Sequence, residues 1–429
     1  MPCGAPSIIA FTVIFSSPGS ATAALCRDDG TISFETITDE DEFMNFQLTD
    51  EQKALQEAAR KYARERLPAL AKEIEETGEP PSHALIHEYG AMGFLGINIP
   101  EQYGGLGLGN LEALLVIEEF AKVSGAVAFP VFESCVGPVR AIERFAGEKL
   151  KQRVVPAVCR GEKVVAVSMS EPAAGSALTD LTTRGVITGD KVVLNGTKRW
   201  CSGGGHADGY VVYCRLSDTP GPKGIGAVYV EKENSGMRFG KPEHLMGFRG
   251  VPSCDLYFDN CEISVDDIVV PAGGFKQLME AFDLERCGNA TMALGQASGA
   301  LEDVLPYVQE RIQFGKPLVD FQAVQIKLAE MQIRVDAARL LIHRAAVNSQ
   351  AGLPSILESS VAKCFANEIA REVCGHAVQL MGGYGYSREY PMERRLRDAW
   401  GWGIAGGAVD IQKVNIASAM VGRRFDQRR

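Results

Sequence analysis

The hydrophobic period of this chain changes twice, and that double change limits its possible folds more than any other feature. Before about residue 160 the apolar residues recur at helical spacing, as in Leu55, Ala58, Ala59, Tyr62 and Ala63. Thr49, with Gln52 three positions on, has the form of a capping box. Further helices are expected over 111–123 and 138–157, with GGLGLGN at 104–110 as a loop. From 164 to 270 the text becomes short β-branched runs: VVAVSMS, GVITGDKVVLNG, GYVVYCRL, GIGAVYVEK and CDLYFDN. Gly189-Asp190 and Asn195-Gly196 are expected to be hairpin turns between them. Helical spacing returns over 275–305, 322–350 and 356–381, in segments long enough to pack as a bundle. The order predicts an α+β multi-domain chain: an N-terminal helical domain over 44–163, a middle antiparallel β domain over 164–272 and a C-terminal helical bundle over 273–425.

The first 43 residues stand apart. Their apolar run at 8–15 is shorter than the ~20 residues a membrane helix needs. It also lacks the basic stretch that opens a signal peptide. An acidic stretch, Asp39 to Glu42, follows it. A poorly ordered extension is expected here, or a true start at Met44, with a cleaved targeting segment as the other reading. No other segment is expected to approach membrane-spanning length.

Composition removes several functions. Lys plus Arg number 44 against 54 for Asp plus Glu, a net charge of −10, which argues against nucleic-acid binding. Eleven cysteines form no CxxC pair and six histidines form no HExxH, so no metal site is expected. Reduced thiols in a cytoplasmic protein are the simplest reading. There is no GxGxxG, GxxxxGK[ST] or GxSxG, which sets aside nicotinamide Rossmann enzymes, P-loop NTPases and α/β-hydrolases.

Four strings, in order and at consistent spacing, carry a more specific message: SMSEPAAGSA (168–177), NGTKRWCSGG (195–204), ERIQFGKPLVDFQAVQ (310–325) and QLMGGYGYSREYPMERRLRDA (379–399). Together they resemble the acyl-CoA dehydrogenase family over about 44–425. The resemblance implies a middle β-barrel between an N-terminal helical domain and a C-terminal four-helix bundle. It also implies FAD, a homotetramer, oxidation of acyl-CoA thioesters between Cα and Cβ, and an electron-transferring flavoprotein as acceptor. By the same resemblance Met169 and Ser170 bond the flavin edge, Trp200 packs on the ring, and Ser202 directs a hydroxyl at flavin N5 where the family usually has Thr. Arg311, Gln313, Phe314, Phe321 and Gln322 match residues that hold the FAD of a neighbouring subunit, and an Arg fork suits phosphate oxygens. Gln379, Gly382 and Gly383 match a segment that approaches the adenosine half. Ser176, Asp283 and Arg286 match contacts to the thioester arm. Ala177, Ala408 and Asp410 stand where the family has Asp, Thr and Gln, which alters the individual FAD contacts expected at Ala408 and Asp410.

The reaction needs a carboxylate beside the substrate α-carbon. Most of the family places it in an EGT string after RDA, and the count from RDA at 397–399 reaches Gly406, which has no side chain. A branch resembling isovaleryl-CoA dehydrogenase carries the Glu in a DLER string instead, and this chain has one at 283–286. Glu285 is therefore the expected base, taking the α-proton while the β-hydrogen leaves as hydride. Gly406 keeps a backbone N–H for the thioester carbonyl, with Gly407 beside it. Leu106, Val131, Phe132, Glu133 and Tyr384 are the candidates for the acyl end. The alternatives on one scaffold are an acyl-CoA desulfinase, which IAGGA at 404–408 also resembles, and an enoyl-CoA reductase. A non-catalytic acyl-CoA-binding protein is the alternative of another class.

Overall fold

In a computed structural model the described residues are 13–17, 20–26, 32–38, 46–349 and 352–425. The chain divides into two compact units, Met1–Lys53 and Ala54–Arg429. In the first, β1 (Val13–Ser17), β2 (Ser20–Cys26) and β3 (Ile32–Thr38) form an antiparallel meander. The remainder of the segment expected to be a poorly ordered extension lies outside the described residues.

Six helices open the family-like part of the chain: α1 (Asp50–Thr77), α2 (His83–Ala91), α3 (Asn110–Val123), α4 (Gly125–Cys135), α5 (Pro138–Phe145) and α6 (Glu148–Cys159). The capping box before α1 forms in both directions, Thr49 N–H to Gln52 and Gln52 N–H to Thr49 Oγ1. The helix expected over 138–157 breaks at Ala146-Gly147, where Ala146 turns extended after the last turn of α5. Gly125–Phe145 is, against expectation, long and apolar enough to cross a bilayer. It is two core helices, with 94% of its most apolar window buried inside the protein.

The middle layer is β4 (Val165–Ser168), β5 (Arg184–Thr188), β6 (Lys191–Ser202), β7 (Gly209–Arg215), β8 (Ile225–Glu231), β9 (Met237–Phe239), β10 (Ser253–Ser264) and β11 (Ile268–Val270). Their order is β11-β8-β7-β5-β6-β10-β9, with β4 beside β7. This corrects two expectations. The sheet is open, not a closed barrel, and it is not wholly antiparallel, because β4 runs parallel to β7. Asn195-Gly196 is also not a turn. It lies inside β6, with Gly196 opposite Phe258, and β10 absorbs the irregularity between Phe258 and Cys261. Gly189-Asp190 does turn the chain from β5 to β6. Both faces of β7 are buried, which is why it reads as a continuous apolar run. Tyr210, Val212 and Cys214 face a core shared with β6 and β10, while Val211 and Tyr213 pack under α5 and α6.

The last layer is α7 (Phe275–Glu310), α8 (Gln322–Ser349), α9 (Ile356–Met381), the single turn α10 (Gly383–Tyr386), α11 (Met392–Trp402) and α12 (Val409–Met420). α7 runs through Pro306 and ends five residues later than expected. Its middle is buried on nearly every side because it touches both helical layers. Three glycines permit this closeness. A Cβ at Gly288 would lie 3.0 Å from the Phe132 ring of α4, one at Gly295 would strike Ala121 of α3, and one at Gly299 would lie 2.5 Å from the Lys122 carbonyl.

Candidate active site

Glu285 sits on α7, half-buried. Desolvation pushes its carboxyl up to about 8, against opposing pulls from Lys363 and Arg286. Its neighbours on the same turn, Asp283 and Arg286, are both buried and paired with each other, and Ser359 Oγ donates to Asp283 at 2.9 Å. Asp283 is raised by burial.

Lys363, in the first third of α9, is fully buried. Its Nζ donates to the Ala405 carbonyl at 2.6 Å and lies 3.5 Å from that of Trp402. Burial holds it down at about 7, with Arg286 pushing the same way and Glu285 opposing. Asn289 Nδ2 reaches the same Ala405 carbonyl at 3.4 Å, and Gln412 Nε2 donates to Gly407 at 3.1 Å. These bonds fix the turn that carries Gly406. Gly406 has φ +65°, and a Cβ there would stand 3.2 Å from Lys363 Nζ. Glycine fits for conformational and steric reasons alike. Lys363 was not singled out from the sequence, since a lysine in helical text reads as a surface charge.

A second group comes from the end of β4 and from β6. Lys198, fully buried, donates to the Met169 carbonyl and to Glu171 Oε1, both at 2.9 Å. Arg199 N–H donates to the Ser170 carbonyl at 2.8 Å. Glu171 also accepts from Thr182 and Thr183 N–H, and Lys198 with these donors holds it at about 2 against burial. The loop carrying Met169 and Ser170 is thus anchored from beneath, and both residues are half-buried. Trp200 is 50% exposed with φ +61°, and Arg199 stacks on it at 4.1 Å. A bulky residue held at positive φ and left half exposed points to a ligand surface. Ser202 follows, half-buried, and Ser168 is buried beside it. Ser176 lies exposed on the loop after Glu171.

The third group forms a separate cleft of about 580 Å³ lined by Arg311, Gln313, Gln379, Gly382, Gly383 and Tyr384. Arg311 lies over the Tyr384 ring at 5.6 Å and has no carboxylate partner among the described residues. Tyr384, a candidate for the acyl end, therefore belongs to this cleft. A Cβ at Gly382 or Gly383 would meet nothing within 4 Å, so the bare backbone faces open space. Phe314 (φ +53°, 95% exposed) and Phe321 meet edge to face at 6.1 Å, and Gln322 is exposed beside them. Ala408 caps α12, and Asp410 is exposed in its first turn.

A cleft of about 730 Å³ leads to Asp283. Its mouth carries Arg144, Lys223, Lys276 and Arg424, none of which the sequence marked. No group of three or more potential metal ligands occurs among the described residues.

Comparisons with known proteins give the family. The acyl-CoA dehydrogenase N-terminal, middle and C-terminal domain models match residues 49–162, 166–261 and 272–421. A 3-sulfinopropanoyl-CoA desulfinase of Cupriavidus necator is 36% identical over 90% of the chain and 98% of its own length. An acryloyl-CoA reductase (NADH) of Anaerotignum propionicum is 37% identical over 89% and 97%. The solved butyryl-CoA dehydrogenase of Megasphaera elsdenii superposes with a TM-score of 0.85 at 33% identity, covering 88% of this chain and all of that one.

Proposed function

We propose that this chain, which belongs to the acyl-CoA dehydrogenase family, is an FAD-dependent acyl-CoA dehydrogenase whose general base is Glu285. The observation that carries the reading is the pairing of an empty position 406 with a carboxyl on the facing helix α7, raised to about 8. A base must hold a proton about as strongly as the medium does to take one and later release it.

FAD is the cofactor of the family, and the residues present fit it. Bare backbone at Gly382 and Gly383 opens beside Arg311, whose guanidinium has no carboxylate partner among the described residues and suits a phosphate. Trp200 offers an aromatic wall, with the anchored Met169 and Ser170 backbone nearby. Bound there, FAD supplies the two-electron acceptor for the β-hydrogen. The chain's own residues do the rest. Glu285 removes the α-proton, and the turn pinned by Lys363 presents the Gly406 N–H to the thioester carbonyl, where enolate charge develops. Arg144, Lys223, Lys276 and Arg424 supply positive charge for the coenzyme A phosphates at the cleft mouth.

Exposed Ile312, Phe314 and Tyr386 around the Arg311 cleft support a homotetramer in which a neighbour completes each FAD site. An electron-transferring flavoprotein is the acceptor in this reading. The sulfinate-releasing reading is favoured by IAGGA at 404–408 and by the desulfinase relative, while Glu285 supports the dehydrogenase. The reductase direction uses the same residues. The test is exchange of the substrate α-proton in deuterated water. Glu285→Gln should keep FAD and slow exchange by about 100-fold or more; unchanged exchange would place the base elsewhere.

A further inference from the structure

Among the described residues, Trp200, Phe248, Asn260 and Phe314 hold positive φ without being glycine. Trp200 and Phe314 stand at the proposed FAD contacts, and asparagine tolerates the left-handed region. Phe248 has no task in the mechanism above. It lies at φ +61° on the loop between β9 and β10, where a bulky residue is strained unless its surroundings hold it. They do. Phe248 N–H donates to the buried Asp398 carboxyl of α11 at 2.7 Å, and Arg397 Nη1 donates to the Met246 carbonyl at 3.1 Å. A Cβ at Gly247 would stand 2.6 Å from Asp398 Oδ1, so the loop backbone lies directly against α11. The Phe248 ring then rests on the last turn of that helix. A Cβ at Gly401 would stand 2.5 Å from Phe248 Cζ, and the Trp402 ring is 4.7 Å away. The Gly401 carbonyl accepts from Ile404 N–H at 3.0 Å and from Ala405 N–H at 2.9 Å. Ala405 precedes Gly406, so the ring reaches the site turn through Gly401. At the other end of the loop, the Pro252 carbonyl accepts from Gly203 N–H at 2.7 Å, one residue beyond Ser202.

Resting on the dehydrogenase reading, we propose that Phe248, pinned by Asp398, is a positioning residue for α-proton removal: it braces the 401–407 turn, so that the Gly406 N–H meets the thioester carbonyl where enolate charge develops. The turn cannot shape itself. From 403 to 408 its residues are glycine or alanine apart from Ile404, whose side chain is exposed. Its form must come from outside. Lys363 and Gln412 hold it from α9 and α12, and Phe248 holds its base from the middle layer. Placement is what the donor needs, because a hydrogen bond to developing charge loses its worth when the donor shifts by about 1 Å. The same loop bonds to Gly203, so it ties the segment carrying Trp200 and Ser202 to the turn carrying Gly406. Those are the two parts of the site that the reaction must keep in register.

The test uses holoprotein of wild type, Phe248→Gly, Asp398→Ala and Asp398→Asn. Glycine removes the ring and relaxes the backbone at positive φ, while asparagine keeps an acceptor oxygen for the Phe248 N–H. Three quantities are read: α-proton exchange in deuterated water with saturating straight, branched and polar acyl-CoAs, binding of the same compounds by calorimetry, and amide hydrogen exchange of residues 402–407 without ligand. Phe248→Gly and Asp398→Ala should slow α-proton exchange by about tenfold to 100-fold, with Kd changed by less than about threefold. Amide exchange of the turn should quicken about tenfold in the same two variants, and Asp398→Asn should restore most of both losses. Unchanged α-proton exchange in Phe248→Gly would overturn the proposal, as would a loss of binding as large as the loss of rate. If Asp398→Ala does not fold, Phe248→Gly decides. If wild type exchanges no α-proton with any of these compounds, the dehydrogenase reading fails and the amide exchange decides alone: a quickened turn upholds the brace, and an unchanged one overturns it. If wild type exchanges its α-proton and Phe248→Gly matches it, the dehydrogenase reading stands and the brace falls.

Discussion

Replacing Glu285 by Gln should make the protein more stable at alkaline pH while removing its activity. The carboxyl stands at about 8 against an ordinary 4.5, so the unfolded chain releases this proton long before the folded one does. A carboxyl raised on folding contributes fully below 4.5; stability is then lost as pH rises, until the folded group also ionises at about 8. At ~1.36 kcal/mol per decade of pH, the loss is about 2 kcal/mol by pH 6 and about 5 kcal/mol by pH 9. Gln fills the same volume and does not titrate. The variant should therefore gain about 3 kcal/mol on wild type between pH 6 and pH 9. The assay is denaturant unfolding of both holoproteins across that range, followed by tryptophan fluorescence. Parallel stability curves for the two proteins would refute the argument, because they would mean that the Glu285 proton is not held by the fold.

Three further outcomes follow from the same geometry. Lys363→Met removes a charge that lowers Glu285, so the pH midpoint for α-proton exchange should move up, and the turn at Gly406 should loosen with a fall in kcat; an unmoved midpoint would deny the coupling. Lys198→Met strands Glu171 as an unpaired buried carboxylate, which should cost about 3–5 kcal/mol and weaken FAD retention, read as Tm and bound flavin. Arg311→Ala should leave far-UV circular dichroism unchanged while FAD is lost on gel filtration; full retention would remove Arg311 from the FAD site.

The order of layers was legible because hydrophobic period reports which face of an element is buried, and the three layers differ in period. Closure was not legible. Whether a sheet closes depends on which edges meet, and the same alternation serves an open sheet with β4 laid parallel to β7. Asn195-Gly196 misled because a turn dipeptide was read without the strand that pairs across it, where Gly196 opposes Phe258. At the site, Glu285, Asp283 and Arg286 were legible through a contiguous string, and the Arg311 group through two strings that fold into one cleft. Lys363, Lys198 and Glu171 were not singled out. Each is a charged residue set apart by burial, and burial of a single charge leaves no periodic trace. Tyr384 was set at the acyl end; it lines the Arg311 cleft, with Arg311 lying over its ring.

The most direct test of the central claim is an anaerobic visible spectrum of the purified holoprotein, titrated with straight, branched, polar, dicarboxylic and sulfinate-bearing acyl-CoAs, with Glu285→Gln in parallel. The account predicts that a saturated thioester bleaches the oxidised flavin of wild type, and that the same thioester binds to Glu285→Gln without bleaching it. Equal bleaching of both proteins, or sulfinate release without flavin reduction in wild type, would contradict it.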